Sequence, residues 1–487
     1  MPEQWLDYIR QFLVFLDETI LVYFLFVNSF YALNLVAAAW EMWRQMHQIR
    51  GAGRHTILSS RVAPTISILA PAHNEAPTIT ESVRSLLTLY YPNLEVVVIN
   101  DGSKDETVSV LVQNFDLFPV HPTYSQKVPT KAVRALYRSH RHGNLLVVDK
   151  ENGGKADALN VGINFASGDL VCAIDADTLI EPDSLLRMIR PFLIGDDVVA
   201  AGGGIRAVND SVAKGGRLVE VHAPRNYYAG IQVVEYLRAF QFGRLGLNRL
   251  GGNMIISGAF GLFRRDAILA VGGYAHDTVG EDMELVVRLR RQGYETDGPR
   301  QVEFVPDPTA WTEVPESRQV LGRQRDRWHR GLVDVLWRHR RMFFNPRYGG
   351  MGMVVYPYFF FVELLAPIME TLGLIGLVIG LSVGLINLSF AILFFLVAYG
   401  YGLLLSTFTL LLEELSFHRH EVMTDRLILL GWALLENLGY RQMSVVWRLN
   451  GLKKYMSGNT QWGAMTRKGF GTPTTTPSPP TPTTKSP

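Results

Sequence analysis

The strongest chemical signal in this chain is a pair of aspartates one residue apart. Asp175 and Asp177 close the apolar run Leu170–Ile174 in the segment LVCAIDAD. Two like charges at the end of a buried strand need a counter-ion. Hard carboxylate oxygens beside a diphosphate suit Mg2+ or Mn2+, which polarises a phosphate leaving group. Both acids face one side only if the chain bends there; the alternative is an N-cap pair for a following helix. A third acid, Asp282 in Gly280-Glu281-Asp282, opens a helical segment. It has the chemistry of a general base for a hydroxyl nucleophile, or of a first-turn partner of the helix dipole. Gln324, Arg327 and Trp328 recur at i, i+3 and i+4 and so share one helix face. Arg327 offers a fork for phosphate, and Trp328 a stacking face for a sugar ring or a base. A lipid-interface tryptophan with a snorkelling arginine reads the same way.

Three further clusters lie between apolar runs. Pro71-Ala72-His73-Asn74-Glu75 and Asn100-Asp101-Gly102-Ser103 each end such a run, and Gly153-Gly154-Lys155 precedes a helical pattern. Asp101 and Glu75 are acceptors for a base or another donor. Lys155, with glycines that let backbone approach closely, suits a phosphate at a helix N-terminus. The Asn-Asp-Gly-Ser peptide is also simply a good turn. The Walker spacing is absent. Cys172, the sole cysteine, reads as core and excludes an intramolecular disulfide.

The elements that must position these groups follow from periodicity. Ile66–Ala70, Leu94–Ile99, Leu145–Val148, Leu170–Ile174 and Val198–Ala201 read as buried parallel strands between helical patterns such as 82–90 and 155–166. In such a doubly wound sheet, ligands bind beyond the carboxyl ends of the strands. Residues 316–345 are basic and aromatic at helical spacing. They fit one or two helices at a membrane surface, or a plain solvated helix.

The chain has 487 residues, and its mean hydropathy is +0.10. Charged residues make up 19% against about 25% in soluble chains, so part of it is expected in lipid. The net charge of +2 excludes the basic field of a nucleic-acid binder. Ile20–Trp40 is 21 uncharged residues, enough to span about 30 Å of hydrocarbon. The flank after it (Arg44, Arg50, Arg54, Arg61) is basic, which puts the following domain in the cytosol. Val354–Leu381 and Phe390–Leu412 read as further spans. Leu427–Trp447, which contains Glu436 and Arg441, reads as a third span or a re-entrant or interfacial helix. Charges within these runs should face a protein interior, a polar path or a salt bridge. The 416–426 loop and Lys453, Lys454, Arg467 and Lys468 agree with a cytosolic side. Thr472–Pro487 is of Thr/Pro/Ser low complexity and is expected to be disordered. The boundaries are thus 1–62 for the first membrane helix and its flank, 63–315 for the soluble α/β domain, 316–350 for the interfacial helices, 351–450 for membrane helices and 451–487 for the tail.

The order of motifs PAHNE, NDGSKDE, GGKADALN, DAD, GED and QRDRW, set between membrane helices, resembles the processive family-2 glycosyltransferases: cellulose, hyaluronan and poly-N-acetylglucosamine synthases. The likeness runs from about Pro64 to Trp328. It implies a GT-A domain, a Rossmann-like nucleotide-sugar fold, inserted between transmembrane helices. It implies an inverting single displacement that polymerises UDP-GlcNAc or UDP-Glc into a β-linked polysaccharide at the plasma (inner) membrane. By motif, Ala72, His73, Glu75 and Asp101 would bind around the uridine. Lys155 would approach the diphosphate, Asp175 and Asp177 would hold diphosphate and metal, and Asp282 would be the base. Gln324, Arg327 and Trp328 would hold the donor diphosphate and the acceptor end. Ser257-Gly258-Ala259-Phe260 falls where the family lines the acceptor. The partners implied are the UDP-sugar, a growing glycan or lipid acceptor, and membrane lipid, with accessory subunits left open. No gating-loop motif follows Trp328, which leaves open a non-processive synthase adding one sugar to a lipid. An inactive membrane scaffold is the reading from another class, and the intact acidic and QRDRW motifs argue against it.

Overall fold

In the computed structural model, residues 3–51, 63–121, 124–214, 216–296, 298–384, 386, 388–417 and 422–458 are described. Arg54 and Arg61, part of the 416–426 loop, Arg467, Lys468 and the Thr472–Pro487 segment lie outside them.

The strands are β1 (Ile66–Ala72), β2 (Leu94–Asp101), β3 (Leu117–Val120), β4 (Val133–Ser139), β5 (Leu145–Lys150), β6 (Leu170–Ile174), β7 (Leu179–Ile180), β8 (Val198–Ala207), β9 (Val212–Lys214), β10 (Arg217–Glu220), β11 (Phe260–Arg264) and β12 (Gln301–Thr312). Ten of them form one sheet in the order β3-β4-β5-β2-β1-β6-β11-β8-β12-β7, and β9 and β10 form a separate hairpin. The centre, β5-β2-β1-β6, is parallel. Its strands are runs of Val, Ile, Leu and Ala buried on both faces, as expected where helices cover a sheet. β11 is antiparallel to both β6 and β8, so Val198–Ala201 stands beyond a reversed strand instead of joining the parallel set. Periodicity alone missed β11 and β12, because SGAFGLFRR and QVEFVPDPTAWT interleave glycine, proline and charge. The Lys155–Phe165 helix matches the expected 155–166 segment closely, whereas the Ile79–Leu87 helix begins and ends three residues before the expected 82–90.

Residues 316–345 form one long helix, Arg318–Arg338, followed by short 3-10 turns. It packs on the Arg441–Met456 helix at two glycines. A Cβ on Gly322 would come within 2.7 Å of Trp447 Nε1, and one on Gly451 within 2.7 Å of the Asp326 carbonyl oxygen. Only glycine permits this approach.

Among the described residues two helices are long and apolar enough to cross a membrane, Arg10–Gln45 and Ala391–Phe417. Met351–Leu364 and Ala366–Ser382 make a third if taken as one span, with a 42° bend between them. Pro367 in the first turn of the second half removes a backbone donor there. Phe12, Phe15, Val22, Val36 and Trp40 of the first helix point outward, more than three-fifths exposed, an apolar belt that water does not favour. Leu427–Trp447 does not form a continuous span: the Met423–Leu435 and Arg441–Met456 helices meet at a break where Gly439 takes φ +83°. The charges in these segments pair within the protein. Glu436 accepts from Arg238, Glu370 from Arg441 Nε at 3.0 Å, and Glu363 from Arg448 at 3.4 Å. The salt-bridge reading of these charges therefore holds for all three.

Candidate active site

The carboxyl ends of β1 and β2 are level, Ala72 facing Asn100 in the register. The two polar clusters therefore interlock. Ser103 Oγ accepts from the Asn74 N–H at 2.9 Å, and Asn74 Oδ1 from the Lys104 N–H at 2.8 Å. His73 Nδ1 lies 2.9 Å from the Asp101 carbonyl, and Glu75 Oε2 accepts from Thr78 Oγ1 at 2.9 Å. Ala72 is buried as the last residue of β1.

The Asp101 carboxylate faces inward. It accepts from Lys150 Nζ at 2.6 Å and from the N–H groups of Gly153 and Gly154 at 2.9 and 2.8 Å. The glycine donors expected to meet a phosphate thus hold a side chain of the protein itself. Lys150, fully buried, also pairs with Asp157 at 2.6 Å. Sequence reading overlooked this lysine; its place at the end of a strand, just before Asn-Gly-Gly, was the available signal. Together these contacts seat the loop that opens the Lys155–Phe165 helix, where Gly154 takes φ +86°.

After β6 the chain turns at once, the Thr178 N–H donating to the Asp175 carbonyl at 3.0 Å. The chain bends as expected, but the bend does not bring both acids onto the cavity. Asp175 remains at the cavity wall, whereas Asp177 is buried, 4% exposed, and does not line the cavity. Lys155 ion-pairs with Asp175 and reaches the Gly258 carbonyl at 3.3 Å. Burial alone would lower the Lys155 pKa; Asp175, then Glu281 and Asp282, hold it above its ordinary value. Gly258, brought to the end of β6 by the antiparallel β11, donates its N–H to Asp282 Oδ2 at 3.2 Å. The Met283 N–H donates to Asp282 Oδ1 at 2.8 Å. Each Asp282 oxygen keeps acceptor capacity. Neighbouring Glu281 is buried, and desolvation, with Asp282 beside it, pushes its pKa up.

The Glu281–Glu295 helix starts where Gly280 meets Gly331 of the Arg318–Arg338 helix; a Cβ on Gly280 would lie 3.0 Å from the Gly331 Cα. That contact brings Asp282 alongside Gln324, Arg327 and Trp328. All four, with Lys155 and Asp175, line one cavity of about 820 Å³, within the usual size range of ligand pockets. Ala72, His73, Glu75, Asp101 and Asp177 do not line it. The Arg325 guanidinium stands 4.2 Å over the Trp328 ring and pairs with Glu235 at 2.6 Å. The cavity continues past His329 to Tyr358, Glu363 and Arg448 on the C-terminal helices. No motif announced these residues. His329 is 3% exposed, and burial, then Arg448, lower its pKa to about 3, so its imidazole is neutral. Among the described residues no group of three or more His, Cys, Asp or Glu side chains could hold a metal by itself.

Residues 67–272 match the glycosyl transferase family 2 model and residues 170–405 the glycosyl transferase family group 2 model. The poly-β-1,6-N-acetyl-D-glucosamine synthase of Staphylococcus aureus strain COL is 30% identical over 274 residues, 56% of this chain and 56% of that protein. The Staphylococcus epidermidis synthase is 31% identical over the same shares. The match thus spans just over half the length of these curated relatives. A mannosyltransferase from Pyrobaculum calidifontis, solved with GDP-Man and Mn2+, superposes with a TM-score of 0.50 at 19% identity, over 88% of this chain and 99% of that one. That likeness speaks for the fold, a GT-A α/β domain with a mixed sheet. From the order of its motifs, the geometry of its sheet and these matches, this chain carries a family-2 glycosyltransferase domain.

Proposed function

We propose that this protein is a membrane-embedded inverting glycosyltransferase that builds a β-linked polysaccharide from a UDP-sugar, with N-acetylglucosamine the favoured sugar. The observation that carries the reading is the single cavity onto which Lys155, Asp175, Asp282, Gln324, Arg327 and Trp328 converge. The identity to poly-N-acetylglucosamine synthases supports the choice of sugar and product. The apolar helices support a multi-pass membrane protein, and the basic flank after the first of them supports a catalytic domain on the cytosolic side.

In this reading Asp282 takes the proton of the acceptor hydroxyl. The acceptor oxygen bonds to the anomeric carbon from one face while the bond to the diphosphate breaks on the other, so configuration inverts and UDP leaves. Arg327, Gln324 and Lys155 hold the diphosphate oxygens. Trp328, fixed by Arg325, walls the acceptor side. Asp101, locked to the glycine loop, sets the position of Lys155, and His73 and Glu75, off the cavity wall, would border the uridine where it extends beyond the cavity. Asp175, a hard carboxylate at the cavity wall, would hold Mg2+ or Mn2+ with diphosphate oxygens completing the shell, as suits a cation that commonly takes one or two protein carboxylates beside a substrate; Asp177, buried and off the cavity wall, would have to turn toward it to serve as a second ligand. When bound, that ion neutralises charge on the departing diphosphate.

The test is the purified full chain given radiolabelled UDP-GlcNAc and UDP-glucose. A long glycan is expected, lost on chelation of divalent ions and lost in Asp282→Asn, which should still bind UDP. A single-sugar lipid product would replace polymerisation with one transfer per turnover. Retained turnover in Asp282→Asn would remove Asp282 from the base role.

A further inference from the structure

Arg244, in the first turn of the Gly243–Leu250 helix, belongs to none of the motifs above. It lines the cavity yet is only 6% exposed. Its guanidinium lies 4.7 Å over the Phe240 ring. Among the described residues it has no hydrogen-bond acceptor and no carboxylate at ion-pair distance. Other cations around the cavity are provided for: Lys155 holds Asp175, Arg325 holds Glu235, and Arg448 holds Glu363. Arg290, as deeply buried, spends its donors on the carbonyls of Asn253 and Gly251 and does not line the cavity. Burial lowers the Arg244 pKa to about 10, so it stays charged at neutral pH, with Asp282 its main acidic neighbour.

A desolvated guanidinium with only an aromatic face beneath it is costly unless an anion completes it. The planar fork of arginine suits a phosphate. Its position is rigid. Asn34 Nδ2 of the first apolar helix donates to the Gly243 carbonyl at 3.0 Å, and Arg249 pairs with Glu41 at 2.5 Å. Asn34 and Glu41 lie in the C-terminal half of Arg10–Gln45, so this wall of the cavity is tied to an apolar helix.

We propose that Arg244 binds a phosphate oxyanion inside the cavity, at a subsite separate from Lys155 and Arg327. The phosphate has two possible sources, the donor diphosphate or the phosphate of a lipid-borne acceptor. The proposal rests on reading the cavity as a nucleotide-sugar site, and its test separates the two.

The full chain in detergent is titrated with uridine and with UDP, and in nanodiscs with phosphatidic acid against phosphatidylcholine. For Arg244→Gln, loss of about tenfold or more in UDP affinity with uridine unchanged assigns the donor diphosphate. A similar loss for phosphatidic acid with UDP unchanged assigns the lipid phosphate. Arg244→Lys should recover part of either. Equal affinities of wild type and Arg244→Gln for both phosphate probes overturn the proposal. Should Arg244→Gln fail to fold, phenylglyoxal labelling of Arg244 in the wild type, followed by mass spectrometry, decides: protection by UDP or phosphatidic acid supports the proposal, and an unchanged rate with both overturns it. Wild type that binds neither uridine nor UDP would overturn the nucleotide-sugar reading instead, while the phosphatidic acid arm still judges Arg244.

Discussion

His329 shows how burial sets the chemistry of one residue. Its Nδ1 sits 3.5 Å from Arg448 Nε, and its Nε2 has no hydrogen-bond partner among the described residues. Folding lowers its pKa from the ordinary 6.5 to about 3. The unfolded chain therefore binds more protons between those values, and stability rises with pH across that window and is lost as pH falls through it, by at most about 1.4 kcal/mol per pH unit. Thermal unfolding followed from pH 4 to pH 7 should show this limb, and His329→Asn should flatten it. An unchanged slope would mean that His329 is already charged in the fold. Lys150 makes the complementary case. A lysine at zero exposure persists because Asp101 and Asp157 surround it, and breaking such a buried set by removing one partner is what is costly.

Among the elements, the decisive contact is between the Arg318–Arg338 and Arg441–Met456 helices. The first carries Gln324, Arg327 and Trp328, so its place sets the cavity wall. Gly451→Val should lower stability by about 1–3 kcal/mol, because the carbonyl of Asp326, a backbone atom, cannot swing away. Binding of UDP should weaken with it, since the Asp326 turn lies between Gln324 and Trp328. Gly400→Ala is the control: nothing lies within 4 Å of the added methyl, and helix propensity favours alanine by about 1 kcal/mol. Melting curves and UDP titrations of the two variants check this. A Gly451→Val protein as stable as wild type would show that the helix pair does not set the cavity wall.

At the scale of the whole molecule, the α/β domain is tied to its apolar helices by charge. Glu413 of the Leu388–Phe417 helix is 4% exposed, pairs with Arg206 of β8 and accepts from Gln241 Nε2 at 2.7 Å. Arg238 likewise holds Glu436, with Ser406 Oγ 2.9 Å from Arg238 Nη1. Glu413→Leu should cost about 2–3 kcal/mol by leaving Arg206 buried beside an apolar group. The Arg206→Met/Glu413→Leu double variant should recover most of that, as read by thermal unfolding in detergent. Equal losses in the single and double variants would show that the pair carries no coupling between the domain and the helices.

Composition, spacing and order sufficed for four of the parallel strands, the first apolar helix, the strand end that carries Asp175, the helix start at Asp282 and the shared helix face of Gln324, Arg327 and Trp328, because each depends on neighbours in sequence: a continuous apolar run, a run of uncharged residues, side chains one helical turn apart. The antiparallel β11, the break at Gly439, the inward turn of Asp101 onto the glycine loop and the lone guanidinium of Arg244 were settled only by tertiary structure. Those depend on what a residue meets across long sequence separations, where a carboxylate is captured by Lys150 or an arginine finds no carboxylate at ion-pair distance among the described residues, and local pattern carries no record of such partners.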